Sequence, residues 1–327
     1  MLSLNGKIIS RLLNKDWDAV FLVIESREWG INDYIFNEDG SAFTLLESAV
    51  EMKMQDIVKR LTSMGADVNK IGVQMTPLMR ACESRQVEMV SLLLKAEADV
   101  NISTKKIKGE DSGKTALMFA AERNDIEIVI RLLTAGADFT CASARGCTAL
   151  TAASERGGKE LMQLLIEAGC PLTGTELHNP IYRREIELVK YLLDAGSDVN
   201  APYPNNDSPG IFKGDAPILV AVRRNNDELV AAMGLKVPIK SKEKLSIIKE
   251  LIAKGAVVNT VGSKKYPPLS EAIINEELEV VRVLLAAEAD PNFGPHKPGS
   301  GKTTLEIAKS KKLVGIVKLL ENVAATK

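Results

Sequence analysis

The apolar residues of this chain come in short bursts at helical spacing, divided by polar turns, and the bursts are of two alternating kinds. The shorter kind is rich in small residues: TPLMRAC (76–82), TALMFAA (115–121), TALTAAS (148–154), TELHNPI (175–181), APILVAV (216–222) and PPLSEAI (267–273). The longer kind follows it. It reads DIVKRLTSMGADVN (56–69), EMVSLLLKAEADVN (88–101), EIVIRLLTAGADFT (127–140) and ELVKYLLDAGSDVN (187–200), with weaker copies at 160–173, 247–260 and 279–292. Leu, Ile and Val at i, i+3 and i+4 give each longer phrase one buried helical face. The threonine heading a short phrase can cap a helix with its hydroxyl, and Pro77 at a first helical position gives up no internal bond. Ala81, Ala120 and Ala153 keep the short helix thin, so neighbouring copies can approach closely. Gly65, Gly136 and Gly196 follow the longer helix, where a left-handed turn favours glycine. Glu97 and Glu288 replace it in two copies, which predicts strained or differently closed turns there.

A T-P-L-H-x-A-A first helix, an I-V-x-x-L-L second helix and a G-A-D-V-N exit together resemble the ankyrin repeat, over nearly the whole chain. The resemblance implies an all-α fold, an ankyrin-repeat solenoid of about nine helix pairs with finger loops between them. The exit position recurs at Asp67, Asp99, Asp138, Pro171, Asp198, Val257 and Asp290, in steps of 32, 39, 33, 27, 59 and 33. The ankyrin period is about 33, so the odd steps locate insertions near 102–113, 201–215 and 225–244 and a nearly deleted finger at 171–175. The expected organisation is one array over 1–327: an N-terminal capping helix pair at 1–37, internal repeats over 38–293 and a C-terminal capping repeat at 294–327. Pro180, inside a first helix, should delay or kink it.

Composition narrows the function. The 327 residues are 45% hydrophobic and carry a formal net charge of −1, so a large core is available and no global pull toward nucleic acid or anionic membrane is expected. Four cysteines, Cys82, Cys141, Cys147 and Cys170, make no disulfide framework in a chain of this length, which favours a reducing compartment, the cytoplasm, with the nucleus left open. No apolar run is long enough to span a membrane. GSGKTT (299–304) has the look of a phosphate-binding loop. However, His296 stands where that loop needs its first glycine, and the preceding segment has helical rather than strand spacing. Thr303-Thr304-Leu305 instead fits the head of the last repeat. Only two histidines exist, His178 and His296; the resemblance gives His178 the task of tying its helix to neighbouring loops. Cys141 and Cys147 lack a second ligand pair for zinc. No catalytic residue, metal or cofactor is expected, and the chain is read as not an enzyme.

In the ankyrin family the partner surface lies at the ends of the first helices and on the fingers. Here those ends read Glu51-Met52, Glu83-Ser84, Glu122-Arg123, Glu155-Arg156, Tyr182-Arg183, Arg223-Arg224 and Ile274-Asn275. They are acidic first and arginine-rich later. Arg and Tyr make good interface anchors, so Arg123, Glu155, Arg156, Tyr182, Arg183, Arg223 and Arg224 are the candidate partner-binding residues, with an acidic segment of another protein as the partner. Tyr203 and Phe212 mark the 201–215 finger as a second contact. The competing reading is salt-sensitive binding of anionic lipid or nucleic acid by the Lys-rich fingers, through Lys105, Lys106, Lys108, Arg145, Lys213, Lys264 and Lys265; nucleic acid is the weaker expectation. No small-molecule substrate is expected, and the chain is read as a monomer. The resemblance also implies that exit asparagines such as Asn69, Asn101 and Asn200 are candidates for hydroxylation.

Overall fold

The computed structural model describes residues 4–37, 40–105, 112–156, 158–204, 211–223, 241–262, 266–293 and 303–326. They divide into two compact units, Met1–Cys170 and Pro171–Lys327. Helices dominate both. Unit one holds α1 (Leu4–Leu13), α2 (Trp17–Glu25), a hairpin of β1 (Ile35–Phe36) and β2 (Ala42–Phe43), then α3 (Leu45–Glu51), α4 (Gln55–Ser63), α5 (Pro77–Glu83), α6 (Val87–Lys95), α7 (Ala116–Glu122), α8 (Ile126–Thr134), α9 (Ala149–Glu155) and α10 (Lys159–Glu167). Unit two holds α11 (His178–Tyr182), α12 (Ile186–Asp194), α13 (Pro217–Val222), α14 (Ser241–Ala253), α15 (Pro268–Ile274), α16 (Leu278–Ala286), α17 (Thr304–Ser310) and α18 (Val314–Thr326).

Each short phrase becomes the first helix of a pair and each long phrase the second. In unit one the first helices α3, α5, α7 and α9 pack side by side, as do the second helices α4, α6 and α8. In unit two α11, α13, α15 and α17 form one row, and α12, α14, α16 and α18 the other. Alanines at the contact, Ala81, Ala120, Ala121, Ala152 and Ala153, are 0% exposed, which is how short helices come close enough to share one core. The expected threonine caps form at Thr76, Thr148 and Thr303, which each accept the backbone N–H three residues on, whereas Thr115 makes no such bond.

In the pairs α3–α4, α5–α6, α7–α8, α11–α12, α15–α16 and α17–α18 the turn is closed without glycine. Lys53, Arg85, Asn124, Arg184, Glu276 and Lys312 all have φ between 52° and 65°, and the next backbone N–H bonds back to the first helix, as in Gln86 N to Ala81 O at 2.9 Å. The exit turns use the same closure. Ala66 N reaches Leu61 O at 3.0 Å after Gly65, and Ala98 N reaches Leu93 O at 3.0 Å after Glu97. Glu97 and Glu288 (φ 63° and 62°) are therefore closed as the glycines are, with the strain of a left-handed side-chain residue and no different turn.

Exit asparagines link consecutive repeats. Asn101 Oδ1 accepts Asp138 N at 2.8 Å while its Nδ2 donates to Gly136 O at 3.2 Å. Asn32 does the same to Asp67 and Gly65, and in unit two Asn200 does it to Val257 and Gly255, and Asn259 to Asp290 and Glu288. Asn69 supplies the Oδ1 half, to Asp99 N at 2.8 Å.

Pro180 delays its helix rather than kinking it. A 3₁₀ turn over Thr175–Leu177 comes first and α11 starts at His178, so Pro180 sits in the first turn, where its missing N–H has no helical acceptor to satisfy. Just before it, Gly174 (φ 86°) closes the shortened finger; a side chain there would run into the Asp198 carbonyl.

Candidate functional site

In unit one the ends of the first helices carry a relay of charges. Arg80 Nη2 meets Glu47 Oε1 at 3.2 Å, Arg80 Nη1 meets Glu83 Oε2 at 3.3 Å, and Glu83 Oε1 meets Arg123 Nη2 at 3.6 Å. Lys114 pairs with Glu122 at 2.5 Å. Arg123 is thus drawn onto Glu83, with 40% of its side chain exposed. Arg156 differs. It is exposed, and its Nε donates to the Glu122 carbonyl at 3.1 Å, which orients the guanidinium without neutralising it. No ion pair of Arg156 to a carboxylate occurs among the described residues. Glu155 beside it is exposed.

In unit two the candidates separate. Tyr182 and Arg183 are half-buried at the end of α11, and Arg183 Nε is tied to Glu185 Oε1 at 2.9 Å. Arg223 departs from the expectation that it faces a partner. Its side chain is 6% exposed, paired with Asp215 and, at 3.2 Å, with Glu271, and lies 5.2 Å from the Phe212 ring centroid. Two buried carboxylates hold it inward, Asp215 just before α13 and Glu271 on α15; its own backbone is extended, with ψ 155°. Its carbonyl accepts from Arg184 Nη2 at 2.6 Å and Lys244 Nζ at 3.3 Å, two side chains that bond a helix-end carbonyl. Arg184, 2% exposed, and Lys244, 3% exposed, were not singled out by sequence; nothing in the spacing marks a cation as interior. Arg224 lies outside the described residues.

The second proposed contact also folds inward. Tyr203 is 5% exposed and packs on His178, ring centroids 5.0 Å apart, while Phe212 is half-buried. His178 Nε2 lies 2.9 Å from Asp215 O and Nδ1 3.2 Å from Thr175 O, so it ties its helix to the finger as the resemblance implied. Burial pushes its pKa below the ordinary histidine value, against smaller upward pulls from the two carbonyls, Glu176 and Asp215. All four cysteines are free; burial pushes Cys147 up to about 12 and Cys170 up to about 11, so neither is a ready nucleophile. Among the described residues no group of three or more His, Cys, Asp or Glu is placed to hold a metal. Thr303 caps α17, as the last-repeat reading expected, while the glycines and Lys302 before it, and His296, lie outside the described residues. Lys105, Arg145 and Lys213 are exposed on fingers, and Lys106, Lys108, Lys264 and Lys265 lie outside the described residues. No described helix is long and apolar enough to cross a membrane.

A family model described as ankyrin repeats (3 copies) matches residues 2–104, 46–143 and 117–203, together well over half of the chain. The chain belongs to the ankyrin repeat family. Among its relatives, the human transient receptor potential cation channel subfamily A member 1 is 29% identical over 173 residues, 48% of this chain and 15% of the channel. The ankyrin repeat protein YahD of Escherichia coli K12 is 28% identical over 215 residues, covering 62% of this chain and 92% of YahD. This chain spans only 15% of the channel and 6% of the ankyrin repeat and KH domain-containing protein mask-1 of Caenorhabditis elegans. The human ASB11 ankyrin repeat domain superposes with a TM-score of 0.54 at 21% identity, over 76% of this chain and all of that domain; this likeness concerns the fold alone. Ankyrin repeats are in general protein–protein interaction modules.

Proposed function

We propose that this ankyrin repeat protein is a non-catalytic scaffold or adaptor of the cytoplasm. In this reading it binds an acidic segment of a partner protein at the first-helix ends of unit one, through Arg156 with Arg123 beside it. The observation that carries the reading is Arg156: exposed, aimed by a backbone carbonyl, and matched by no carboxylate among the described residues. An arginine held this way loses little side-chain freedom on meeting a carboxylate and offers it two parallel N–H donors. Arg123 joins by exchanging the long 3.6 Å contact to Glu83 for a closer ligand carboxylate. Tyr182 and Arg183 are kept as candidates for unit two, and Arg223 is set aside because its charge is already spent on Asp215 and Glu271. One array over 1–327, capped at 1–37 and 294–327, is part of the same proposal.

The test uses a fluorescein-labelled peptide alternating leucine and glutamate, read by anisotropy. Binding should weaken at least tenfold in the double variant Arg123→Glu, Arg156→Glu, with the melting temperature unchanged. Equal binding by that variant removes the reading. Binding that survives 0.5 M salt and the charge reversal, but falls on deletion of Lys105 and Arg145 side chains, would move the contact to the fingers.

A further inference from the structure

Away from those arginines, unit one holds a cavity of about 270 Å³ between the end of α1, strand β2 and α3. Its apolar wall includes Leu13, Phe43 and Val73; Leu13 is 76% and Val73 40% exposed. Its charged lining is Glu47, Glu51 and Arg80, two carboxylates against one guanidinium. Glu47 is only 2% exposed, and Arg80 satisfies its Oε1 alone. Its Oε2 is buried with no hydrogen-bond partner among the described residues, and so is Arg80 Nε. Gly72 covers Oε2 from one side, since a side chain at that position would overlap it. Glu51 is exposed at the mouth, in no ion pair among the described residues.

Size and charge decide what could enter. Pockets for drug-sized ligands hold about 300–1,000 Å³, so this one suits a single long side chain. An apolar side chain would deepen the desolvation of Glu47, whose carboxyl burial already holds above the usual carboxylate range, with Arg80 drawing it back and Glu51 adding to the rise. An acidic side chain would bring a third negative charge. A lysine or arginine instead lays its methylene stem on the apolar wall and carries its charge to the carboxylates. Arg80 is the internal precedent, a guanidinium already seated on Glu47.

We infer that this cavity is a docking point for one lysine or arginine side chain from a basic segment of a partner protein, its stem on Leu13, Phe43 and Val73 and its charge at Glu51 and Glu47. The site is chemically opposite to the arginine surface and lined by different residues. The chain would then read two signs of charge at two places in unit one.

The experiment titrates the full chain with a fluorescein-labelled octapeptide alternating leucine and arginine, and with the same peptide carrying citrulline, which keeps the shape and removes the charge. The arginine peptide should bind at least tenfold more tightly than the citrulline peptide. Glu51→Gln and Leu13→Ser, both at exposed positions and so not expected to disturb folding, should each weaken it at least fivefold, while Arg123→Glu with Arg156→Glu should not. Equal binding of the two peptides, no binding of the arginine peptide at millimolar concentration, or indifference to both Glu51→Gln and Leu13→Ser overturns the inference. The acidic-segment reading would stand untouched by any of these results.

Discussion

The two units solve the same packing problem by different means. Unit one is the more regular: its asparagine bridges from Asn32, Asn69 and Asn101 fall one repeat apart, and its charges run in a relay from the buried Glu47 through half-buried Arg80 and Glu83 to Arg123. Unit two keeps two such bridges, from Asn200 and Asn259, but places its charges inside, with Arg184, Asp215, Arg223 and Lys244 all at 5% exposure or less. Where a first helix runs straight into a left-handed turn, the backbone closes itself; at the end of α13 the Arg223 carbonyl is bonded by two buried cations. In unit one Arg156 stays exposed at its helix end, whereas in unit two Arg184 and Arg223 are built into the fold.

This contrast can be broken most forcefully at Arg223. Arg223→Ala leaves Asp215 buried without its cation and should destabilise unit two by about 3–5 kcal/mol, the usual range for breaking a buried pair. Urea unfolding followed by amide exchange in each unit would show it, and a loss confined to a few tenths would mean the network is not holding α13. In unit one the matching variant is Asn101→Ala, which removes two neutral hydrogen bonds and should lower stability by about 1–2 kcal/mol. Asn69→Ala, with one such bond described, should lose about half as much.

Acid sharpens the comparison, because the two units carry buried groups of opposite sign. His178 has a folded pKa below its ordinary 6.5, so the unfolded chain takes up the proton first. The stability it contributes to unit two is present above about pH 6.5 and is lost as pH falls through the folded pKa. Glu47 has a folded pKa above its ordinary 4.5, so its contribution to unit one is present below that value and is lost as pH rises through the folded pKa. Melting curves for His178→Gln and Glu47→Gln against the parent should therefore diverge in opposite directions with pH; parallel curves would contradict the burial argument. The smallest expected effect is at the exit turns. Glu97→Gly relieves a left-handed side-chain residue and should stabilise unit one by about 0.5–1 kcal/mol, visible as a small rise in melting temperature.

Much of the fold was legible because it rests on local signals: 3.6-residue spacing in the second helices, threonine caps, and glycine at Gly65, Gly136 and Gly196. Less was legible at the sites. The turns within the pairs use Lys53, Arg85 and Asn124 in left-handed conformation, and no residue type announces that, since the closing hydrogen bond and not the side chain selects it. Arg223 was expected outside because it follows the small residues of its helix, as Arg123 and Arg156 do. Asp215 and Glu271, distant from it in the sequence pattern, hold it inward. The exit asparagines looked like modification candidates, and their bridging role depends on a neighbour about 30 or more residues away. The exposure of Arg156 at its helix end was legible. What sequence could not supply was the carbonyl that aims it.

Nitrogen-15 NMR of the arginine Nε–H groups, with the leucine–glutamate peptide added stepwise to the full chain, tests the central claim most directly. The account predicts a large, saturable shift at Arg156, a smaller one at Arg123 and none at the buried Arg223. A peptide that binds while the Arg156 signal stays still, or that moves Arg223 instead, would contradict it.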